Sequence, residues 1–280
     1  MVYTPAIPLS GLPGWRMLEA TYDRQLEAYS SSSQITNDKE YFQTKMASPL
    51  SLEEFVDDPR LRRITMTAYG LAGEEWKRGF VQKVLTESAL DSSDFLNRLN
   101  SNEYSDFGEA FKPVDGQISL TETALLDISS KFETAAFAAA VGEVNDDMRL
   151  SLNFRDAIGS IADNSGEGVT NETIAFRILG NKPIRAVFET ALGLSSDIAS
   201  LDVERQAQII EEQIQSRFGI SDLSELSNTE HVDRVLRDYH SIQSINNPAS
   251  NNSSGAVALT LLTGGLGTAS STNLFTTISS

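Results

Sequence analysis

The sequence predicts an all-α fold, and three observations carry that reading. Apolar residues recur at steps of three and four along most of the chain, which places them on single helical faces. Clear period-two alternation flanked by hairpin dipeptides is missing, so no extended sheet is expected. Two distant segments also end a helix in nearly the same way. Leu61-Arg62-Arg63-Ile64-Thr65-Met66-Thr67-Ala68-Tyr69-Gly70-Leu71 aligns with Ile184-Arg185-Ala186-Val187-Phe188-Glu189-Thr190-Ala191-Leu192-Gly193-Leu194. They share Arg62/Arg185, Ala68/Ala191, Gly70/Gly193 and Leu71/Leu194, which points to a multi-helix bundle built from two related helical units.

The elements follow in order. Trp15, Leu18, Tyr22, Leu26 and Tyr29 form the first stripe, and Pro13 suits the first turn of that helix. Ser51-Leu52-Glu53-Glu54 reads as a capping box, and Asp58-Pro59 starts a helix whose stripe is Leu61, Ile64, Ala68 and Leu71. Gly70 stands near its end. Trp76, Phe80 and Val84 form another stripe, and Phe95, Leu99, Phe107 and Phe111 fall on two short helices. Lys112-Pro113-Val114-Asp115-Gly116 is a breaker, which sets the expected units at 1–112 and 117–245. Leu120 to Val141 is Ala-rich and long, as helices favour, and Asn145 to Ala162 carries Met148, Leu152, Ile158 and Ile161. After the loop Asp163 to Gly168, helices are expected over 171–179, 183–192, 202–218 and 229–239. Residues 246–280 hold no charge and are rich in Ser, Thr, Asn and Gly, so they read as a flexible tail.

Composition narrows the function classes. The 280 residues are 40% hydrophobic, enough to bury a core, and carry a net charge of -17 from 39 acidic and 22 basic side chains. Such a surface repels phosphate backbones and anionic lipid, so nucleic acid and membrane insertion are not expected, and a protein partner is. With no cysteine, disulfides, thiolate catalysis and cysteine metal sites are excluded. The start, Met1-Val2-Tyr3-Thr4-Pro5, lacks a basic segment and a long apolar run, so Sec export is not expected. The apolar-leaning stretch Ala256 to Leu266 is too short to span a bilayer.

Candidate chemistry is sparse. His231 and His240 are nine residues apart, off a common helical face, and neither follows a Glu by three positions. Both read as ordinary surface histidines. The acidic pairs Asp57-Asp58, Glu74-Glu75, Asp146-Asp147 and Glu211-Glu212 are helix neighbours that do not face each other. Asp57, Asp58 and Asp146 fit better as caps or charges at helix starts. Neither a calcium-binding loop, a nucleophile elbow nor a phosphate-binding loop is present, and Gly264-Gly265-Leu266-Gly267 is linker-like. Arg62 and Arg185 are the basic residues of interest. Each is expected to pair with a nearby acid or pack its stem, with anion or partner-carboxylate binding as the sharper alternative. Trp15 and Trp76 read as core. No residue is assigned to catalysis, a cofactor or a metal.

The segments Tyr41-Phe42, Leu52-Glu53-Glu54-Phe55-Val56-Asp57-Asp58-Pro59-Arg60-Leu61, Ala68-Tyr69-Gly70-Leu71, Phe80-Val81-Gln82-Lys83-Val84-Leu85, Asp91-Ser92-Ser93-Asp94-Phe95-Leu96-Asn97-Arg98-Leu99 and Tyr104 resemble the bacterial family called domain of unknown function 1217. The opening Pro8-Leu9-Ser10-Gly11-Leu12-Pro13-Gly14-Trp15-Arg16 with Thr21 to Gln25 is similar to a subgroup of that family found in flagellar gene clusters of alphaproteobacteria. So are Ala140 to Glu143, Asp147 to Leu150 and Leu179 to Arg185. The resemblance runs from about Pro8 to Tyr239 and brings no catalytic residues with it. It implies a helical protein in a flagellar setting.

The expected function is therefore a non-enzymatic structural or interaction protein of the bacterial flagellum, with rod, hook or export components as partners. The alternative is a cytosolic chaperone or assembly factor for exported flagellar subunits. A carboxylate-only metal enzyme is the third reading. The location is expected to be cytoplasmic, or outside after export through the flagellar apparatus.

Overall fold

A computed structural model describes residues 3–90, 94–99, 101–166 and 168–246, and the expected tail beyond 246 lies outside the described residues. The chain is all-α, in the order α1 (Gly11–Ser30), α2 (Ser33–Met46), α3 (Leu52–Asp57), α4 (Pro59–Ala68), α5 (Arg78–Ser88), α6 (Asp94–Leu99), α7 (Asn102–Ala110), α8 (Glu122–Val144), α9 (Asp146–Ile161), α10 (Asn171–Gly180), α11 (Lys182–Ala191), α12 (Val203–Phe218) and α13 (Thr229–Asn246).

The matching segments of the sequence become α4 and α11, ten residues each. Both begin on a side-chain cap. Asp58 Oδ1 accepts the Arg60 and Leu61 amides at 3.0 and 2.9 Å, and Asn181 Oδ1 accepts the Ile184 amide at 3.1 Å. Both end in a Schellman motif. Leu71 N–H reaches Met66 O at 2.8 Å and Gly70 N–H reaches Thr67 O at 3.1 Å. Leu194 to Glu189 and Gly193 to Thr190 repeat this geometry, each at 2.9 Å. Gly70 and Gly193 have φ of 75° and 66°, a conformation in which a side chain strains the backbone.

Each helix packs into its own hydrophobic cluster, α4 into one and α11 into the other. The first holds Ile35, Phe42, Phe55, Leu61, Ile64, Val84, Phe107 and Phe111. The second holds Trp15, Leu152, Phe154, Ile184, Phe188, Ile210 and Tyr239. They meet along α8, which gives Ile128, Phe132 and Ala136 to the first and Phe137, Ala138 and Val141 to the second. The division thus falls inside a helix, and α1 buries Trp15 and Leu18 with the residues that follow α8.

Three departures from the sequence reading have physical causes. Helix α2 was not anticipated, because Asp38 occupies the middle of its buried face between Ile35 and Phe42. Asp38 is buried and bound by Arg60 Nε at 2.8 Å and an Arg63 terminal nitrogen at 2.7 Å, so a two-arginine clamp substitutes for an apolar contact. Asp115-Gly116, read only as a breaker, forms a tight hairpin turn with φ of 52° and 77°. The turn bridges Val114 to Gln117, and the following Gln117–Ile118 (β2) pairs antiparallel with Leu50–Ser51 (β1). Trp76 is not core: it is 74% exposed and precedes α5, so no helix carries it onto the face of Phe80 and Val84.

Gly70→Ala and Gly193→Ala should each destabilise the protein by about 1 kcal/mol in urea denaturation, the cost of a Cβ in the left-handed region. The two losses should match, since an added Cβ meets no atom closer than 3.7 Å at Gly70 and none within 4 Å at Gly193. A negligible loss at either glycine contradicts the shared motif.

Candidate functional site

Arg62 and Arg185 occupy equivalent positions but hold different partners. Arg62 lies in the first half of α4: its Nε donates to Glu75 O at 3.0 Å and a terminal nitrogen donates to Val56 O near the end of α3. It ties the 70–77 loop to the first core and satisfies a helix-end carbonyl. Arg185 instead forms an ion pair with Glu189 one turn on, Nε to Oε1 at 2.6 Å. The two do not converge on one ligand position.

The acids behave structurally, with one correction. Asp58 caps α4 and accepts the Tyr41 hydroxyl, and Asp146 lies in the first turn of α9 with Asn145 as the cap. Asp57 is not at a helix start; it is the last residue of α3 and pairs with Arg78. Glu74 accepts Lys77 at 2.7 Å and the Tyr104 hydroxyl, which holds its carboxyl below the usual range. Glu211 accepts Asn171 Nδ2 at 2.9 Å. Among the described residues no group of three or more His, Asp or Glu is placed to hold a metal ion.

The histidines are where the sequence misled most. His231 is half-buried, with Nε2 3.9 Å from Glu225. His240 is not a surface residue: it is wholly buried, because α13 continues to Asn246 instead of ending near Tyr239. The ring stacks on Trp15 with centroids 5.9 Å apart. Its Nε2 lies 2.9 Å from Ser151 Oγ, and Ser151 is also wholly buried.

A buried Ser–His contact invites a nucleophile reading, and the hydrogen-bond directions oppose it. Ser151 Oγ donates its proton to Asp147 O at 2.8 Å, so it accepts from His240 Nε2–H. In that tautomer Nδ1 carries the lone pair, consistent with its having no partner among the described residues. A general base needs its lone pair aimed at the hydroxyl, and here the proton is. Asp147 accepts Tyr239 OH and Gln243 Nε2, each at 2.9 Å, so it orients α13 against α9 and does not contact the imidazole. Sequence spacing gave no sign of this pair, since 89 residues separate its members.

Among the large apolar side chains left exposed, with Ile245, Val114 and Leu126, is Trp76. The ring stands on the 71–77 loop, which Arg62 pins from beneath, with Lys77 Nζ 5.6 Å from its centroid. Three shallow grooves lie elsewhere on the surface of the described residues. One is lined by Leu52, Ala89, Pro113 and Val114, and another by Glu172, Asp202, Arg205 and Glu211. The third lies beside Lys45, Glu54 and Asp58.

These features define an all-α bundle with an exposed aromatic on a pinned loop. Residues 68–232 match the family described as "Protein of unknown function (DUF1217)", more than half of the chain, and the chain belongs to that family. The fold is also similar to the crystal structure of a protein from Agrobacterium tumefaciens determined in a structural genomics programme. That likeness has a TM-score of 0.68 at 24% identity and covers 88% of this chain and 100% of the other, which establishes the fold alone. No curated protein matches the chain. Among the described residues no helix is long and apolar enough to cross a membrane.

His240 should make stability depend on pH. Burial pushes its imidazole from 6.5 down to about 4, so the unfolded chain takes up a proton that the folded chain refuses. Stability is therefore full above the unfolded value and is lost as pH falls toward the folded one, by about 3 kcal/mol. Urea denaturation across that window should show the loss in the native chain and a shallower slope in His240→Gln. Parallel curves contradict a sealed, neutral imidazole.

Proposed function

We propose that the protein is a non-enzymatic structural or interaction protein of the bacterial flagellum. The observation that supports interaction is Trp76. A tryptophan 74% exposed on a loop tied to the core is a rigid apolar anchor, the side chain that dominates protein interfaces. Pinning by Arg62 removes most of the ordering cost that a mobile loop pays on binding. The net charge of -17 limits indiscriminate association and favours a partner whose contact face is basic. The flagellar setting rests on the resemblance of the opening segment and of Ala140 to Glu143, Asp147 to Leu150 and Leu179 to Arg185 to family members encoded in flagellar gene clusters.

In this reading rod, hook or export components are the partners, and the Trp76 loop is the contact. The test is an in-frame deletion in the native bacterium, complemented with the native gene or with Trp76→Ala. Deletion should abolish swimming and leave truncated or absent filaments by electron microscopy. Trp76→Ala should melt within about 1 °C of the native protein, since an exposed ring contributes little to the fold, and yet fail to restore motility. Normal flagella after deletion overturn the proposal, and full rescue by Trp76→Ala removes the loop from it.

A further inference from the structure

Asp115 is the one aspartate of the chain that is followed by glycine, and no asparagine is. The neighbour matters because the amide nitrogen that follows an aspartate can attack its carboxyl, and a side chain on that next residue crowds the approach. The structure leaves both reacting groups open. Asp115 and Gly116 are exposed at the tip of the hairpin turn and line the groove beside Leu52 and Ala89, so water reaches them. Among the described residues no hydrogen bond or ion pair holds the Asp115 carboxylate, and the Gly116 N–H has no acceptor. The turn's own bonds join Val114 and Gln117, N to O at 2.9 Å one way and 3.0 Å the other, and only the Gly116 carbonyl is used, accepting Leu52 N–H at 3.1 Å. A Cβ added at Gly116 would meet no atom within 4 Å, so the space around that residue is empty. Asp115 also holds φ of 52°, a left-handed conformation that a residue with a side chain adopts at a cost. Other aspartates are guarded. Asp58 precedes Pro59, which has no N–H to attack with, and the Asp163 and Asp222 carboxylates accept the Ser165 and Ser224 amides at 2.9 and 3.0 Å.

We propose that Asp115–Gly116 is a site of spontaneous isoaspartate formation and that the product opens the hairpin turn. Gly116 N bonds to Asp115 Cγ, its proton and the carboxyl hydroxyl leave as water, and a cyclic imide closes. A second water then cleaves the imide. Cleavage of the bond from Gly116 N to Cγ restores aspartate. Cleavage of the bond from Gly116 N to the Asp115 main-chain carbonyl carbon leaves the chain running through Cβ and Cγ, with a free α-carboxylate. One water is lost and one gained, so the mass is unchanged and no other reactant is needed. The turn is held by few hydrogen bonds, so the local opening that brings nitrogen to carboxyl is within reach of thermal motion. The product adds a backbone atom to a turn whose geometry depends on two residues. Val114 and Gln117 then cannot keep both of their bonds, and the Gly116 carbonyl leaves the Leu52 amide. Phe111 and Ile118 flank the hairpin and are wholly buried in the first cluster, so the damage stays within the turn and the β1–β2 pairing.

The test holds the full native chain at neutral pH and physiological temperature for several weeks. Its peptides are then read by electron-transfer fragmentation, which marks isoaspartate by cleavage of the Cα–Cβ bond. Isoaspartate at position 115 should exceed that at every other aspartate by at least about tenfold, the advantage of an unobstructed glycine nitrogen. Asp115→Asn tolerates the left-handed conformation and loses ammonia in place of water, so it should convert faster than the native chain. Asp115→Glu, whose ring would be one atom larger, should not convert. In the converted native chain, separated from the unconverted, hydrogen exchange should show lost protection at the amides of Leu52, Val114 and Gln117. Isoaspartate at position 115 no higher than at other aspartates overturns the proposal, and so does a converted chain whose three amides keep their native protection. Both readings come from the native sequence, so they stand even if a variant fails to fold.

Discussion

The structure depends on α8 being buried from two sides. Its 23 residues extend about 35 Å, long enough to run through both hydrophobic clusters. Ile128, Phe132 and Ala136 face one cluster, and Phe137, Ala138 and Val141 the other, so apolar residues occur around most of the helix in place of a single stripe. Its alanines let α4, α9 and α1 approach, and its polar positions are used for docking: Glu133 pairs with Lys39 of α2, and Ser129 Oγ lies 3.4 Å from Gln43 Nε2. A helix shared in this way cannot keep both faces dry unless both clusters are formed.

That sharing explains the distribution of polar groups inside the protein. Three polar contacts hold separate segments of the chain together. Asp38 fixes α2 to α4 through two arginines, Asp147 fixes α9 to α13 through Tyr239 and Gln243, and Gln25 of α1 holds Ala6, outside that helix. Hydrogen bonds of this kind add modest net stability, but leaving one unmade is costly, so each penalises alternative packings. The Ser151–His240 contact belongs with them. Its burial and its proton direction make it a packing device, whereas Trp76 is left exposed on its loop.

Most of the fold was legible because local chemistry agreed with tertiary packing. The capping box at Ser51, the Asp58-Pro59 start and the glycines at 70 and 193 each do locally what the bundle needs, so sequence and structure agree on their helices. Failures came where a long-range partner overrode the local pattern. Asp38 hid α2, since only Arg60 and Arg63, distant in sequence, make a buried carboxylate acceptable. His240 looked like an exit residue because α13 was expected to stop near Tyr239; Trp15 and Ser151, which bury it, lie on α1 and α9. Trp76 failed in the opposite sense: its spacing from Phe80 was helical, but the helix begins only at Arg78. The candidate site was therefore much less legible than the fold, because exposure of one ring depends on where a helix starts.

Native-state hydrogen exchange on Phe132→Ala tests the shared helix most directly. Phe132 packs only in the first cluster, and its truncation should cost about 3–5 kcal/mol there. If α8 couples the clusters, slow amides of α4 and of α11 should lose protection by the same amount, although α11 touches none of the deleted atoms' cluster. Loss of protection in α4 with α11 unchanged would contradict the account and make the two clusters independent units joined by a helix.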